Sequence, residues 1–268
     1  MTYFSERLIG FATHLIVLAI ILIVELVIPV RILTKDQHFK RITSGVIYLA
    51  VALFLVWPVT ELVGQYMLKA REWLPLERFK LQVDFGDSTG LHNWLIVTSL
   101  GWVWWDFFQY WTHRLVHTKR MWFLHKHHHN VEFDGFASFR HSPIELIFVQ
   151  LSITLPASLF VGFIYPAIDF KLISGILTFF VLIQHSNIRI GSSLGKVFIT
   201  PQMHRIHHSR RPEHWNHNFS QYFTVWDRLF GTYYEPTAIE YPETGVLPTI
   251  STTWRDFLLV RAQDDYSS

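Results

Sequence analysis

Trp102-Val-Trp-Trp-Asp106-Phe-Phe-Gln-Tyr110-Trp-Thr-His113-Arg-Leu-Val-His117, followed closely by Leu124-His125-Lys-His127-His128-His129, is the stretch on which the reading of this chain turns. An apolar, aromatic helix runs directly into two histidines four residues apart, and a denser histidine cluster follows at once. A third cluster, Met203-His204-Arg-Ile-His207-His208, repeats the spacing of the second, and His185 stands alone between them. On a helix, residues three and four apart share one face, so each box is expected to aim its imidazoles at a common point. Together these histidines exceed what one ion can use, so the spacing predicts two metals. A structural zinc site closes with four ligands and usually recruits cysteine, whereas this chain contains no cysteine. An oxygen-handling binuclear centre is the leading reading.

The surrounding composition predicts a membrane protein. Half of the 268 residues are hydrophobic, and 16% are charged, against a usual share of about 25%. The run from Leu8 to Val30 is apolar except for Thr13, His14 and Glu25. As a helix it would be about 34 Å long, enough to cross hydrocarbon. Its apolar core is too long, and its start too weakly basic, for a cleavable signal peptide, so the N-terminus is expected to stay attached. Further apolar segments lie at 43–63, 91–112, 144–165 and 169–185.

These segments predict an all-α, integral membrane helical bundle of about four to five transmembrane helices, with a His-rich helical cap at the cytosolic face. With the N-terminus outside, the cytosolic stretches 31–41, 113–143 and 186–268 hold 17 of the 23 Lys and Arg, as the positive-inside rule requires. Segment 64–90 resists this scheme because it carries Lys69, Arg71, Arg78 and Lys80 on the outer side; it could instead lie along the interface. Segments 144–165 and 169–185 form an out-and-back hairpin that returns His185 to the face holding His113. The chain is expected to be a single domain over 1–268. Spans and loops occupy 9–99, the histidine-box region 100–233, and a loosely organised C-terminal tail 234–268. The expected location is a bacterial inner membrane or the endoplasmic reticulum, with the boxes facing the cytosol.

Individual residues then take roles. The expected metal ligands are His113, His117, His125, His128, His129, His185, His204, His207 and His208. His127 points about 100° away from His128 and is left out. Stepping back along the face of His113 reaches Asp106, which is expected to accept the other ring N–H of a ligand and so fix its tautomer. The alternative is a packing contact to a neighbouring helix, the role also expected of Glu25 and His14. His141, just before a proline-started helix, is expected to support the ligands through hydrogen bonds, with a ligand or a capping residue as the alternatives. His214 and His217 remain open, while His38 and His92 read as loop residues away from the boxes. No catalytic residue beyond the metal ligands is expected, and no histidine is given the role of general base.

Other classes fit less well. A net charge of +2 without a basic, aromatic-interleaved tract argues against nucleic-acid binding. No glycine-rich phosphate loop or nucleotide fingerprint occurs, so electrons must come from a separate protein. The absence of cysteine excludes a thiolate-held iron–sulfur cluster. A bis-histidine haem protein would use single histidines on facing helices rather than clustered doublets. A metal transporter would place ionisable residues along the bilayer midplane, where only Glu25, His14, Glu61 and Asp106 qualify.

The segments Asp106-Phe-Phe-Gln-Tyr110-Trp-Thr-His113-Arg114-Leu-Val-His117, Leu-His125-x-x-His128-His129, Thr200-Pro201-Gln-Met-His204-Arg-Ile-His207-His208 and Trp226-Asp227-Arg228-Leu-Phe230-Gly231-Thr232 resemble the fatty acid hydroxylase/sterol desaturase superfamily. The resemblance covers roughly 100–233. It implies a membrane-embedded enzyme with two iron ions that uses O2 to hydroxylate, or less often desaturate, a lipid: an acyl chain, a sterol or hopanoid, or a lipid head group. It also implies an electron donor such as a ferredoxin or small haem protein. The box histidines would be the ligands, joined by His185; Arg189 stands where some relatives carry a further histidine. Zinc could replace iron in isolated protein, because nitrogen sites bind it more tightly than iron(II).

Overall fold

Thr34 and Gln37 show how local sequence starts a helix here. The Gln37 backbone N–H donates to the Thr34 hydroxyl at 3.3 Å, and the Thr34 N–H donates to the Gln37 side chain at 2.8 Å. This reciprocal pair satisfies two donors that a helix start would otherwise leave orphaned, and it begins the second helix earlier than the apolar run alone suggests. The computed structural model of the chain describes residues 3–56, 91–131, 133, 135–160 and 178–247, with a few positions between 58 and 66 and at 258.

Its helices are α1 (Tyr3–Val27), α2 (Lys35–Val51, continued by a π-helical turn at Ala52–Val56), α3 (Leu91–Val116) and α4 (Trp122–His129), then α5 (Pro143–Phe160), α6 (Pro201–His207) and α7 (Val225–Leu229). A helical stretch at 178–184 leads to His185. The described residues contain no strand, only isolated bridges at Pro29–Ile188, Phe198–Phe223 and Ser209–Thr244. The all-helical expectation is met. Among the described residues one helix, Lys35–Val56, is long and apolar enough to cross a membrane; His14–Val27 and Pro143–Ile153 are apolar but shorter. Most of segment 64–90 and the turn between the last two apolar segments lie outside the described residues. His38 and His92, read as loop residues, instead lie near the starts of α2 and α3.

Leu18 and Ile21 on one face of α1 pack with Leu49 and Leu53 of α2, with Phe136, and with Leu182 and Ile188 beside His185. Each such burial stabilises by about 1.5–3 kcal/mol. The α2 stripe continues through Gly45, where an added Cβ would lie 2.1 Å from the Phe136 ring; only glycine lets that ring approach. At the polar end of this face Arg41 Nη2 donates to Glu25 Oε2 at 2.6 Å, both side chains buried. Glu25 Oε1 accepts from the Asn187 backbone N–H at 2.8 Å, and Arg189 N–H donates to Ile28 O at 2.8 Å. The end of α1 is thus tied to the turn after His185. Glu25 makes the inter-element contact expected of it, and His14 faces the Thr178 hydroxyl at 3.4 Å.

α3 packs along α5 and carries the first box out of the aromatic region. The segment after Tyr234, read as a loose tail, is instead stitched to the cap as far as Gly245. Gln202 Nε2 donates to Thr237 O at 2.7 Å and to Glu240 O at 3.0 Å, Thr244 Oγ1 donates to Val131 O at 3.0 Å, and Gly245 N–H donates to His208 O at 3.1 Å. The composition of this segment is loop-like, but buried backbone groups of the cap require partners, and this segment supplies them.

Candidate metal centre

Thr200 caps α6 by accepting from the Met203 N–H at 3.3 Å, with Pro201 at the first helical position. The third box therefore begins as a helix immediately before His204. α4 presents the second box without a side-chain cap, its N-cap being Met121, and α3 ends on the first.

All nine expected ligand histidines converge, but in two groups. His113, His117, His125, His129 and His207 form one, and His128, His185, His204 and His208 the other; within each, the candidate ligand nitrogens lie within 4.8 Å of one another. This corrects the expectation that each box aims at a single point. In α4, His125 and His129 serve the first group and His128 the second; in α6, His204 and His208 serve the second and His207 the first. The reason is helical geometry: residues four apart differ by only about 40° in direction, whereas adjacent residues differ by about 100°. A His-x-x-His-His box is therefore a two-way device.

The ring nitrogens are arranged so that they could hold a metal ion. His113 Nδ1 donates to Phe219 O at 2.7 Å, His207 Nδ1 to His217 O at 2.8 Å, and His185 Nδ1 to Val181 O at 2.9 Å. His125 Nδ1 donates to Glu145 Oε1 at 2.5 Å. A carbonyl can only accept, so each facing Nδ1 carries the proton and each Nε2 is left with a lone pair. His113 Nε2 faces His125 Nε2 at 3.1 Å, and His185 Nε2 faces the Nε2 atoms of His128 at 3.0 Å and His204 at 2.8 Å, two rings whose Nδ1 atoms have no hydrogen-bond partner. Two lone pairs do not bond to each other. Nitrogens each about 2.1 Å from one ion, at a right angle, would stand about 3.0 Å apart. The Nε2 atoms of His117, His129 and His207 are buried without a hydrogen-bond partner, which suits a cation and little else.

Electrostatics agree. Burial, then the neighbouring rings, hold His113, His117, His129 and His208 well below the ordinary histidine range, and His128 and His204 likewise. His207 is pushed down to about 3, chiefly by burial, against its hydrogen bond to His217 O. The imidazoles are neutral, the state a metal requires. Phe219 packs against the rings of His113, His117 and His207, and Phe133 against those of His185, His204 and His208. Each group thus has its own apolar wall.

Asp106 does not touch a histidine ring. Its oxygens accept backbone N–H groups from Gln221 at 3.2 Å, Tyr222 at 2.9 Å and Phe223 at 2.9 Å. It lies two turns below His113, about 10 Å along the axis, and a returning segment fills the space between. The carboxylate that does hold a box histidine is Glu145, fully buried, which also accepts from His141 Nδ1 at 2.9 Å. Sequence reading overlooked it. The available signal was an ionisable residue near the start of an apolar, proline-initiated helix, four residues after His141. His141 thus bonds the carboxylate rather than a box histidine, and its ring stacks on His128 at 3.8 Å.

His127 is buried but belongs to neither group. His214 lies between Ser209 Oγ at 2.9 Å and Glu240 Oε1 at 3.0 Å. His217 contributes its carbonyl rather than its ring.

A family model described as fatty acid hydroxylase matches residues 98–232. The chain is similar to alkylglycerol monooxygenase of Xenopus tropicalis, 30% identical over 145 residues, covering 49% of this chain and 30% of that protein. It is 29% identical over 161 residues to an ornithine lipid hydroxylase of Rhizobium tropici, covering 59% and 47% of the two chains. It is 30% identical over 191 residues to human lathosterol oxidase, covering 69% and 60%. The chain therefore spans less than half the length of the first two of these relatives. No solved structure matches it. The match over half the chain, across all three histidine boxes, makes this protein a member of the fatty acid hydroxylase family.

Proposed function

We propose that this chain is a membrane-bound di-iron oxygenase that hydroxylates a C–H bond of a lipid, using dioxygen and electrons from a separate ferredoxin or small haem protein. The observation that carries the reading is the sorting of nine neutral imidazoles, all buried except the half-buried His117, into two groups with their ring nitrogens converging. The names of the relatives, a monooxygenase, a lipid hydroxylase and a sterol oxidase, support a lipid substrate.

His113, His117, His125, His129 and His207 would hold one iron, and His128, His185, His204 and His208 the other. The irons, when bound, supply the activation of dioxygen that no side chain of this protein can perform. The protein's part is to hold the Nδ1 protons of His113, His125, His185 and His207 on carbonyls or a carboxylate, leaving their Nε2 atoms free, and to exclude water with Phe133 and Phe219. No histidine acts as a general base. Isolated protein could carry zinc, which nitrogen donors bind more tightly than iron(II).

A membrane location is supported by Lys35–Val56 and by the outer face of α1, where Ile16, Ile20, Ile23 and Val27 are exposed. Such a face suits hydrocarbon better than water. The excess of Lys and Arg on the histidine-box side supports a cytosolic orientation. An apolar chain or ring would then enter sideways beneath the cap.

The test is untargeted lipid mass spectrometry of cells expressing wild type or His207→Ala under an isotopically heavy oxygen atmosphere. A lipid that gains one heavy oxygen only with wild type is the expected result. A lipid that loses two hydrogens without label would replace hydroxylation by desaturation. No difference, with the electron donor present, would reduce the chain to a metal-binding protein.

A further inference from the structure

Five consecutive backbone N–H groups, from Phe219 to Phe223, end on just two carboxylates. Asp227 Oδ1 accepts from Phe219 at 2.8 Å and Oδ2 from Ser220 at 3.0 Å; Asp106 takes Gln221, Tyr222 and Phe223. Both aspartates are completely buried and come from different helices, α7 and α3. The Thr232 hydroxyl donates to Asp227 Oδ1 at 2.7 Å, and the Thr232 and Tyr233 N–H groups donate to the Asp227 carbonyl at 2.8 and 3.1 Å. Just upstream, Asn218 adopts a left-handed backbone (φ 56°), a conformation that asparagine tolerates better than most residues. Its side chain donates to Met203 O at 3.3 Å and Tyr234 O at 3.1 Å. The segment is therefore held from both sides, although it has no sheet or helix of its own.

This same segment offers the carbonyls of His217 and Phe219 to His207 Nδ1 and His113 Nδ1. Neither aspartate touches a histidine, yet both fix the carbonyls that decide where those two rings carry their protons. The second group depends on the segment less directly: the ring proton of His185 is held by Val181 O within its own helical stretch, and the segment reaches this group only through neighbours, Gln221 pairing with Gln184 and Tyr222 O accepting from the Ile199 N–H.

We propose that Asp106 and Asp227 are paired positioning residues for the first histidine group, acting through the 217–223 segment to set the tautomer and direction of His113 and His207. The proposal rests on the reading that the two groups bind two metal ions. It explains why carboxylates stand here. Each aspartate accepts three hydrogen bonds, and an amide in its place would turn an NH2 toward a backbone N–H.

The test uses full-length wild type, Asp227→Asn and Asp106→Asn, purified in detergent, stripped of metal and titrated with cobalt(II) alone. The readouts are visible absorption, bound metal per chain, and thermal unfolding of the metal-free protein. His185→Ala, which damages only the second group, identifies which binding step belongs to which group. Wild type should take two cobalt ions. In either aspartate variant the first-group step should weaken by about 10- to 100-fold, the range for partners that orient metal ligands, while the second-group step weakens distinctly less. Should Asp227→Asn fail to fold, Asp106→Asn carries the same readout, and Thr232→Val, which deletes one donor to Asp227, should weaken the same step to a smaller degree. Equal weakening of both steps would mark a general loss of structure and overturn the proposal, as would no change in either. A wild-type chain that binds no cobalt would overturn the metal reading itself.

Discussion

Glu145 offers the sharpest single perturbation, because its two oxygens are used so unequally. Oε1 accepts from His125 at 2.5 Å and from His141 at 2.9 Å, while Oε2 is buried without a partner. Glu145→Gln can keep its oxygen at the Oε1 position and turn its NH2 to the empty side, so it removes charge and preserves geometry. A hydrogen bond to a charged group contributes about 1.5–3 kcal/mol and a neutral one about 0.5–1.5, so this variant should lose about 1–2 kcal/mol of ring orientation. Glu145→Ala removes the acceptor and leaves the buried His125 N–H unsatisfied, at about 1–3 kcal/mol, together with the half-buried N–H of His141, which costs less. The assay is chelator competition for bound metal on purified protein, with thermal unfolding alongside. Glutamine should weaken the step to which His125 belongs by roughly 10-fold, and alanine by up to about 100-fold. Alanine that binds metal like wild type would refute the argument that Glu145 fixes His125. Glutamine that is as damaging as alanine would show that charge, rather than the shared acceptor, is what matters.

Other expectations follow from the same geometry. His128→Ala and His207→Ala should each abolish turnover and lower bound metal, while His127→Ala, outside both groups, should leave metal content near wild type; equal loss in all three, measured by elemental analysis, would break the face assignment. Gly45→Ala drives a Cβ into the Phe136 ring and should destabilise by about 1–3 kcal/mol, read as a lower unfolding midpoint with metal stoichiometry retained. Stripping metal should lower that midpoint strongly, because an ion present at a thousandfold its Kd stabilises by about 4 kcal/mol; an unchanged midpoint would mean the imidazole groups hold nothing.

The parts of this protein that were legible in the sequence are those that local spacing controls. Four-residue periodicity on short helices gathers His113 with His117 and His125 with His129, and the Thr200-Pro201 start sets the register of the third box. What the sequence left dark depends on contacts between distant segments. Asp106 lies on the same helical face as His113, and from the helix alone a bond between them is reasonable. The space is taken by a segment 115 or more residues away. Glu145 is hidden for the same reason, since its meaning depends on His125 from another helix. The stretch from Glu235 to Gly245 looks loose because its hydrogen bonds run to the cap rather than along itself.

The crossing of the two doublet boxes explains why the centre needs both. α4 gives its four-apart pair to the first group and its single histidine to the second; α6 does the reverse. Each short helix therefore contributes to both groups, while the long elements commit to one each, α3 to the first and the stretch ending at His185 to the second. Glu145, in the first turn of α5, makes the carboxylate contact that steadies α4, and the Glu25–Arg41 pair steadies the turn after His185. Shifting α4 or α6 along its axis must then disturb both groups together, whereas moving the 217–223 segment acts directly on the His113 and His207 rings and only through Gln184 and Ile199 on the other group. This difference is why substitutions at Asp106 and Asp227 are expected to weigh more on the first group than on the second, and why a histidine deletion within a doublet box tests the pair as a unit.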